Sequence, residues 1–268
     1  MKVNEILLEV ARGSGRRSRP LSLKEFNELR PKLQIALQKA EQGVRFYRGL
    51  ENTKAKMLYT DPTNSERVSA NTLNFLTLLL SHVLPSWKAW PKRSRSLICS
   101  GDYSYADSYG KPFIVLPIGN PKIGVAPTTD IWYSFLNAPP PPEFNSLFNR
   151  FLKIVNEVFK RNVLLYSNNT DVELLTREIK AIDQAVKTDP EKMKELVDNL
   201  GWVSGVHLDM IKMLTSGNAI KSIDKYYNPI KNGFVLKPLD QLTATENEIW
   251  FSAPAVLISP EQFDRLMN

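Results

Sequence analysis

One cysteine, Cys99, and two histidines, His82 and His207, are spread over 268 residues. A single thiol excludes an intramolecular disulfide framework and any cysteine-rich zinc site, and two histidines are too few to rebuild one. No metal is therefore expected, and a reducing compartment such as the cytoplasm is the natural setting. The longest apolar run, Leu73 to Leu84, is shorter than the roughly 20 residues that span a bilayer, and Asn74, Ser81 and His82 interrupt it. It reads as a core helix, with no membrane partner implied. Met1 to Val10 mixes Lys2, Glu5 and Glu9 with apolar residues and lacks a cleavable secretory pattern. There is no H-E-x-x-H, no G-x-G-x-x-G, and Gly13-Ser14-Gly15 lacks the lysine and strand-helix context of a phosphate loop. These absences argue against a nucleotide-hydrolysing enzyme.

What is present suits an ordinary folded enzyme domain, or one with an added helical lobe: 43% apolar and 24% charged residues, in a chain long enough to bury a sizeable core. The net charge of +7 favours an anionic partner, whether nucleic acid, a phosphate-bearing ligand or an acidic protein surface, because summed charge raises encounter rates with the opposite sign.

Residues 1–21 read as a basic arm. A short amphipathic segment is followed by a loop carrying Arg12, Arg16, Arg17 and Arg19 among glycine and serine, either a solvated linker or a contact for nucleic acid phosphates. A helix opens at Ser22 with a capping box to Glu25 and an apolar face of Phe26, Leu29, Leu33 and Leu37; Pro31 should divide it and Gly43 close it. A strand begins at Val44, and a long helix spans Ser65 to Leu84. Trp87 and Trp90 are expected to cover a cleft edge before a strand over Ser96 to Ser100. The turn signal Gly119-Asn120-Pro121 makes PFIVLP and KIGVAP a hairpin. After Pro139 to Pro142 the pattern turns helical, giving an insertion over about 139–216. It holds a face of Val172, Leu175, Ile179, Ile182 and Val186 on a helix opening at Thr170, and another helix with Pro190 at its first position. Strands return at GFVLKPL and EIWFSAPAVLI, and a short helix starts at Pro260. The fold class expected is α+β, a split mixed sheet with an N-terminal helical segment and a helical insertion.

Three segments carry the chemistry: Tyr47-Arg48-Gly49 in the first strand; the strand end Ser100, followed six residues on by Ala106 and ten on by Gly110 behind Tyr109; and Glu246-Asn247-Glu248 at the mouth of a late strand. In that order and spacing they resemble the Arg-Ser-Glu class of ADP-ribosyltransferases, the cholera-toxin and C3-exoenzyme side of that superfamily. The small-residue helix is read as starting at Ala106. The resemblance implies an ADP-ribosyltransferase-like domain over 22–268 that takes NAD as substrate. Arg48, a catalytic residue beside the two glutamates, would anchor its phosphates, Gly49 and Ser96 would also bind the cofactor, Ser100 would shape and Tyr109 line the nicotinamide pocket, Glu248 would stabilise the oxocarbenium ion and Glu246 would serve the acceptor. There is one departure. Ile98 and Cys99 stand where the family has a serine and a threonine, so the hydroxyl that usually steadies the glutamate is missing, with Ser94, Ser96 and Ser100 as substitutes.

The residue types fit that reaction. NAD carries two phosphates, which call for a guanidinium. Breaking its glycosidic bond develops oxocarbenium charge, and a carboxylate hydrogen-bonded to the ribose 2′-hydroxyl strengthens as that charge grows. The acceptor would be a macromolecule, either a protein arginine, which a Glu-x-Glu favours, or RNA or DNA, which the basic surface admits. Two other readings stand beside this one. A non-catalytic nucleic-acid-binding or virion-associated protein would grip phosphates with the arm and with Lys92, Arg93 and Arg95; an NAD glycohydrolase would transfer to water. Met1 to Glu9 also resembles the leader of internal head proteins of large tailed phages, trimmed after a Leu-x-Glu such as Leu7-Leu8-Glu9, which implies carriage in a phage virion; the resemblance to stand-alone ADP-ribosyltransferases implies a toxin, a defence effector or a phage-encoded modifier acting in the bacterial host cytoplasm.

Overall fold

The structure is a computed structural model, and it describes residues 18–51, 53–64, 66–67, 74–135, 171–198, 212–213 and 215–267. Contacts divide the chain into two compact units. One comprises Met1–Asn71, Ala89–Ser134 and Gly233–Asn268, the other Thr72–Lys88 and Phe135–Asn232.

The first unit is built on a nine-stranded sheet. Its strands are β1 Ser18–Pro20, β2 Tyr47–Leu50, β3 Met57–Thr60, β4 Leu97–Ser100, β5 Lys111–Pro117, β6 Lys122–Val125, β7 Val235–Pro238, β8 Glu248–Phe251 and β9 Ala255–Ile258. The spatial order is β1-β3-β9-β5-β2-β4-β8-β6-β7, and each neighbouring pair is antiparallel. The protein is thus α+β, with an antiparallel sheet in place of the mixed one expected. The expected hairpin of β5 and β6 is not formed either. Pro112 to Pro117 are all buried, so β5 needs cover on both faces and takes a central position between β2 and β9. Strand β6 lies between β8 and β7. The turn residues bond elsewhere, Gly119 N–H to the Lys32 carbonyl and Asn120 Oδ1 to the Asp240 N–H, so they serve a crossover. EIWFSAPAVLI likewise supplies two strands, β8 and β9, that pair with different neighbours.

Local signals at the N-terminal side act as read. Ser22 caps α1 (Leu23–Leu29), with the reciprocal Glu25 bond closing the capping box. Pro31 sits in a 3-10 turn that separates α1 from α2 (Gln34–Glu41). Phe26, Leu33 and Leu37 join Phe113, Val256 and Phe263 in one core, the last from α8 (Pro260–Met267). Part of the arm is structured: Ser18–Pro20 forms the edge strand β1, a place where proline's missing donor is harmless. Residues 1–17 lie outside the described residues. The strand expected from Val44 begins at Tyr47, and the helix expected from Ser65 does not include Glu66 and Arg67. Those two are non-helical, with the Arg67 N–H bonded to the Ser94 carbonyl.

In the second unit, α3 (Asn74–Leu78) continues into a π-helical turn, Leu79–Val83. α5 (Val172–Thr188) buries Leu175, Ile179 and Ile182, and its cap is Asp171, not Thr170. α6 (Pro190–Asp198) begins on proline as expected, and α7 spans Ala219–Tyr226. Of the expected insertion, 139–170, 199–211 and 214 lie outside the described residues. The two tryptophans belong to different units. Trp87 packs on Phe135 and donates to the Tyr227 carbonyl within the second unit, whereas Trp90 stacks on Trp250 within the first.

Candidate active site

Strand pairing aligns the sequence motifs. Ser100 lies opposite Glu248 on β8 and opposite Tyr47 on β2, so residues near 47, 100 and 248 are cross-strand neighbours. Partners in an antiparallel pair share a face. Leu97 and Cys99 accordingly face the core with Phe251 and Ile249, leaving Ser100 and Glu248 on the other side. Strands β2 and β4 meet only at Tyr47 and Ser100. Beyond that point Arg48 reaches across, its guanidinium donating to the Ile98 carbonyl at 2.6 Å.

The helix after β4, α4 (Tyr103–Asp107), is capped by Asp102, whose carboxylate accepts from the N–H groups of Ser104 and Tyr105. It starts three residues before the Ala106 that was read as its first, because this cap lies just beyond the strand. Its end rests directly on β2: a Cβ built on Gly49 would come within 2.1 Å of the Ala106 carbonyl oxygen. Only glycine admits that approach, which gives Tyr-Arg-Gly and the Ser100-to-Gly110 spacing a common physical cause. Gly110, at φ +117°, then turns the chain into β5.

Arg48, Gly49, Ser100, Tyr109 and Glu248 line one cavity, together with Tyr47, Arg67, Ile98, Cys99, Tyr105, Ala106 and Asp130. Its volume is about 50 Å³, several times the ~10–15 Å³ that one water needs. Glu246 and Ser96 are not part of the lining. Glu246 precedes β8 and is exposed; its carbonyl accepts from Ser100 Oγ at 3.4 Å. Ser96 Oγ donates to the Lys92 carbonyl and shares a hydrogen bond with Ser252.

Glu248 is buried, and both its oxygens accept hydrogen bonds, Oε1 from the Arg93 guanidinium and Oε2 from the Ile131 N–H at 3.3 Å. Asp130, 8% exposed, accepts from the Trp132 N–H at 2.8 Å. Burial, and next the charge of Glu248, push its carboxyl up to about 6, against the opposing influence of Trp132 N–H and Arg93. Tyr109 donates to the Tyr105 hydroxyl at 3.0 Å, and burial raises both phenols above their ordinary value. Burial also pushes the Cys99 thiol up to about 12, so Cys99 is no nucleophile near neutral pH.

Sequence reasoning missed Arg67 and Asp130 and gave Arg93 a different role, on the surface. Arg67 lay in a stretch read as helix, and Asp130 sits in an Asx turn with no motif around it. No short-range signal marks either. The cavity lining therefore combines two arginines, Arg48 and Arg67, with two carboxylates, Asp130 and Glu248, and three tyrosines, Tyr47, Tyr105 and Tyr109. That set can bind an anion beside a centre that gains positive charge. Among the described residues no group of three or more His, Cys, Asp or Glu could hold a metal ion, and no helix is long and apolar enough to cross a membrane. Comparison with protein-family models, with curated proteins and with solved structures found no match.

Proposed function

We propose that this protein is an NAD-dependent mono-ADP-ribosyltransferase, transferring ADP-ribose from NAD to a macromolecule and releasing nicotinamide. The observation that carries the reading is the convergence of Arg48, Ser100, Tyr109 and Glu248. These lie in three segments separated by as much as 200 residues of chain (248 minus 48), yet they line one cavity. Arg48 and Arg67 would hold the phosphates, and the Tyr105–Tyr109 pair would line the ring-binding end. The cavity, at about 50 Å³, is smaller than the ~150 Å³ that takes benzene, so most of the dinucleotide would lie outside it.

In the reaction the bond between the ribose C1′ and the nicotinamide nitrogen breaks, and its electron pair leaves with nicotinamide, which becomes neutral. Positive charge develops on the ribose, and the buried Glu248 carboxylate would stabilise it, a fixed charge away from bulk water being worth more than in solvent. The acceptor's lone pair then forms the new bond to C1′, and its proton is lost to a base. Glu246, exposed just before β8, would meet the macromolecular acceptor, either a protein arginine or a nucleic acid.

The test is incubation of the protein and its Glu248→Gln variant with labelled NAD and a bacterial lysate, followed by nuclease or protease digestion. Nicotinamide release and labelled macromolecule should both fall by at least ~100-fold in the variant, with circular dichroism confirming that it is folded. Free ADP-ribose without labelled macromolecule would assign a glycohydrolase. Absence of nicotinamide release from the unaltered protein would sink the reading in favour of a binding protein.

A further inference from the structure

We infer that Arg93 is the positioning residue of this site, holding the Glu248 carboxylate toward the cavity in the place of the missing strand hydroxyl. The inference rests on the reading of Glu248 as the reacting carboxylate. Two of the three serines offered as substitutes are otherwise engaged, Ser96 with Lys92 and Ser252, and Ser100 with the Asp102 N–H and the Glu246 carbonyl. Ile98 has no side-chain donor, and Cys99 is turned into the core. Among the described residues the donors to the Glu248 carboxylate are the Arg93 guanidinium and the Ile131 N–H.

Arg93 is fitted to hold rather than to bind. It is 4% exposed and is not part of the cavity lining, so it stands behind the carboxylate. Its guanidinium carbon lies 5.6 Å from the centre of the Trp132 ring and 5.8 Å from that of Trp250, within the range of cation–π attraction. Trp250 is itself fixed. Its indole N–H donates to the Pro91 carbonyl, its ring stacks on Trp90 at 5.9 Å, and it crosses Gly124, where a Cβ would come within 2.4 Å of the ring. The support thus runs from Pro91 through Trp250 and Arg93 to Glu248. The same 3-10 turn, Arg93–Arg95, receives the Arg67 N–H through the Ser94 carbonyl at 2.6 Å. One short segment ahead of β4 therefore orders both a cation of the cavity and its central carboxylate. Burying this charge pair is costly unless its geometry is fixed, and the Nε of Arg93, buried without a partner among the described residues, indicates that the site retains the guanidinium despite an unmade hydrogen bond.

The experiment compares Arg93→Gln and Arg93→Lys with the unaltered protein by two readouts. In steady-state NAD cleavage, Arg93→Gln should lower kcat by about 100-fold, the scale on which a misplacement of ~1 Å acts. KM for NAD should stay near its original value because Arg48 and Arg67 are untouched. Arg93→Lys, which keeps the charge without the planar fork, should recover part of kcat. In amide hydrogen exchange, Ile131 should lose protection in Arg93→Gln, whereas Ala126, bonded to the backbone carbonyl of residue 248, keeps it. An unchanged kcat, a change confined to KM, or an Ile131 amide as protected as before would overturn the inference. If the unaltered protein cleaves no NAD, the proposed function fails by itself. Ile131 exchange then decides alone whether Arg93 holds this carboxylate.

Discussion

Replacing Asp130 by asparagine should stabilise the protein at neutral pH and leave it unchanged in acid. Asp130 is 8% exposed beside Glu248, and its carboxyl is pushed from 3.8 up to about 6 by burial and by that neighbour's charge. Below about pH 4 the folded and unfolded chains both carry the proton, so the group has no effect on stability. Between about 4 and 6 the folded state keeps a proton that the unfolded chain has lost, and stability falls as pH rises through this window. Above it both states are ionised and the full destabilisation remains. A difference of roughly two pH units at 1.36 kcal/mol each amounts to about 3 kcal/mol. Asparagine carries no charge to bury, and its Oδ1 can still accept from the Trp132 N–H. Urea unfolding of both proteins from pH 4 to pH 8 measures the effect. The curves should nearly coincide at pH 4 and separate progressively, with the variant the more stable. A separation independent of pH, or one of opposite sign, would refute the argument that Asp130 is ionised against its surroundings.

Gly49→Ala should cost at least about 2 kcal/mol, read from urea midpoints, because its Cβ would press on the Ala106 carbonyl at 2.1 Å with no flexible side chain there to give way; a stable variant would show that α4 can lift from β2. Cys99, buried with its thiol pushed up to about 12, should react with a thiol reagent at pH 8 only after denaturation, and fast labelling of the native protein would contradict its burial.

Local stereochemistry is what this sequence determined by itself. The Ser22–Glu25 box, the break at Pro31, the stop at Gly43 and the apolar face of α5 act over one or two turns of chain, so they are legible in order along it. The motif residues were legible for a related reason: the contact of Gly49 with the end of α4 links a strand glycine to a fixed spacing after Ser100. Strand partners were not. Strand β5 carries the apolar content of a doubly covered strand, but nothing local says that it lies between β2 and β9 and not beside β6. The surroundings of Glu248 were hidden for the same reason. Arg93 and Asp130 are 155 and 118 residues away from it in the chain (248 minus 93, and 248 minus 130), and the sequence treats them as ordinary surface charges. Only the packing of the turn before β4 and the loop after β6 around β8 removes them from water, and that removal turns three separate charges into one coupled group.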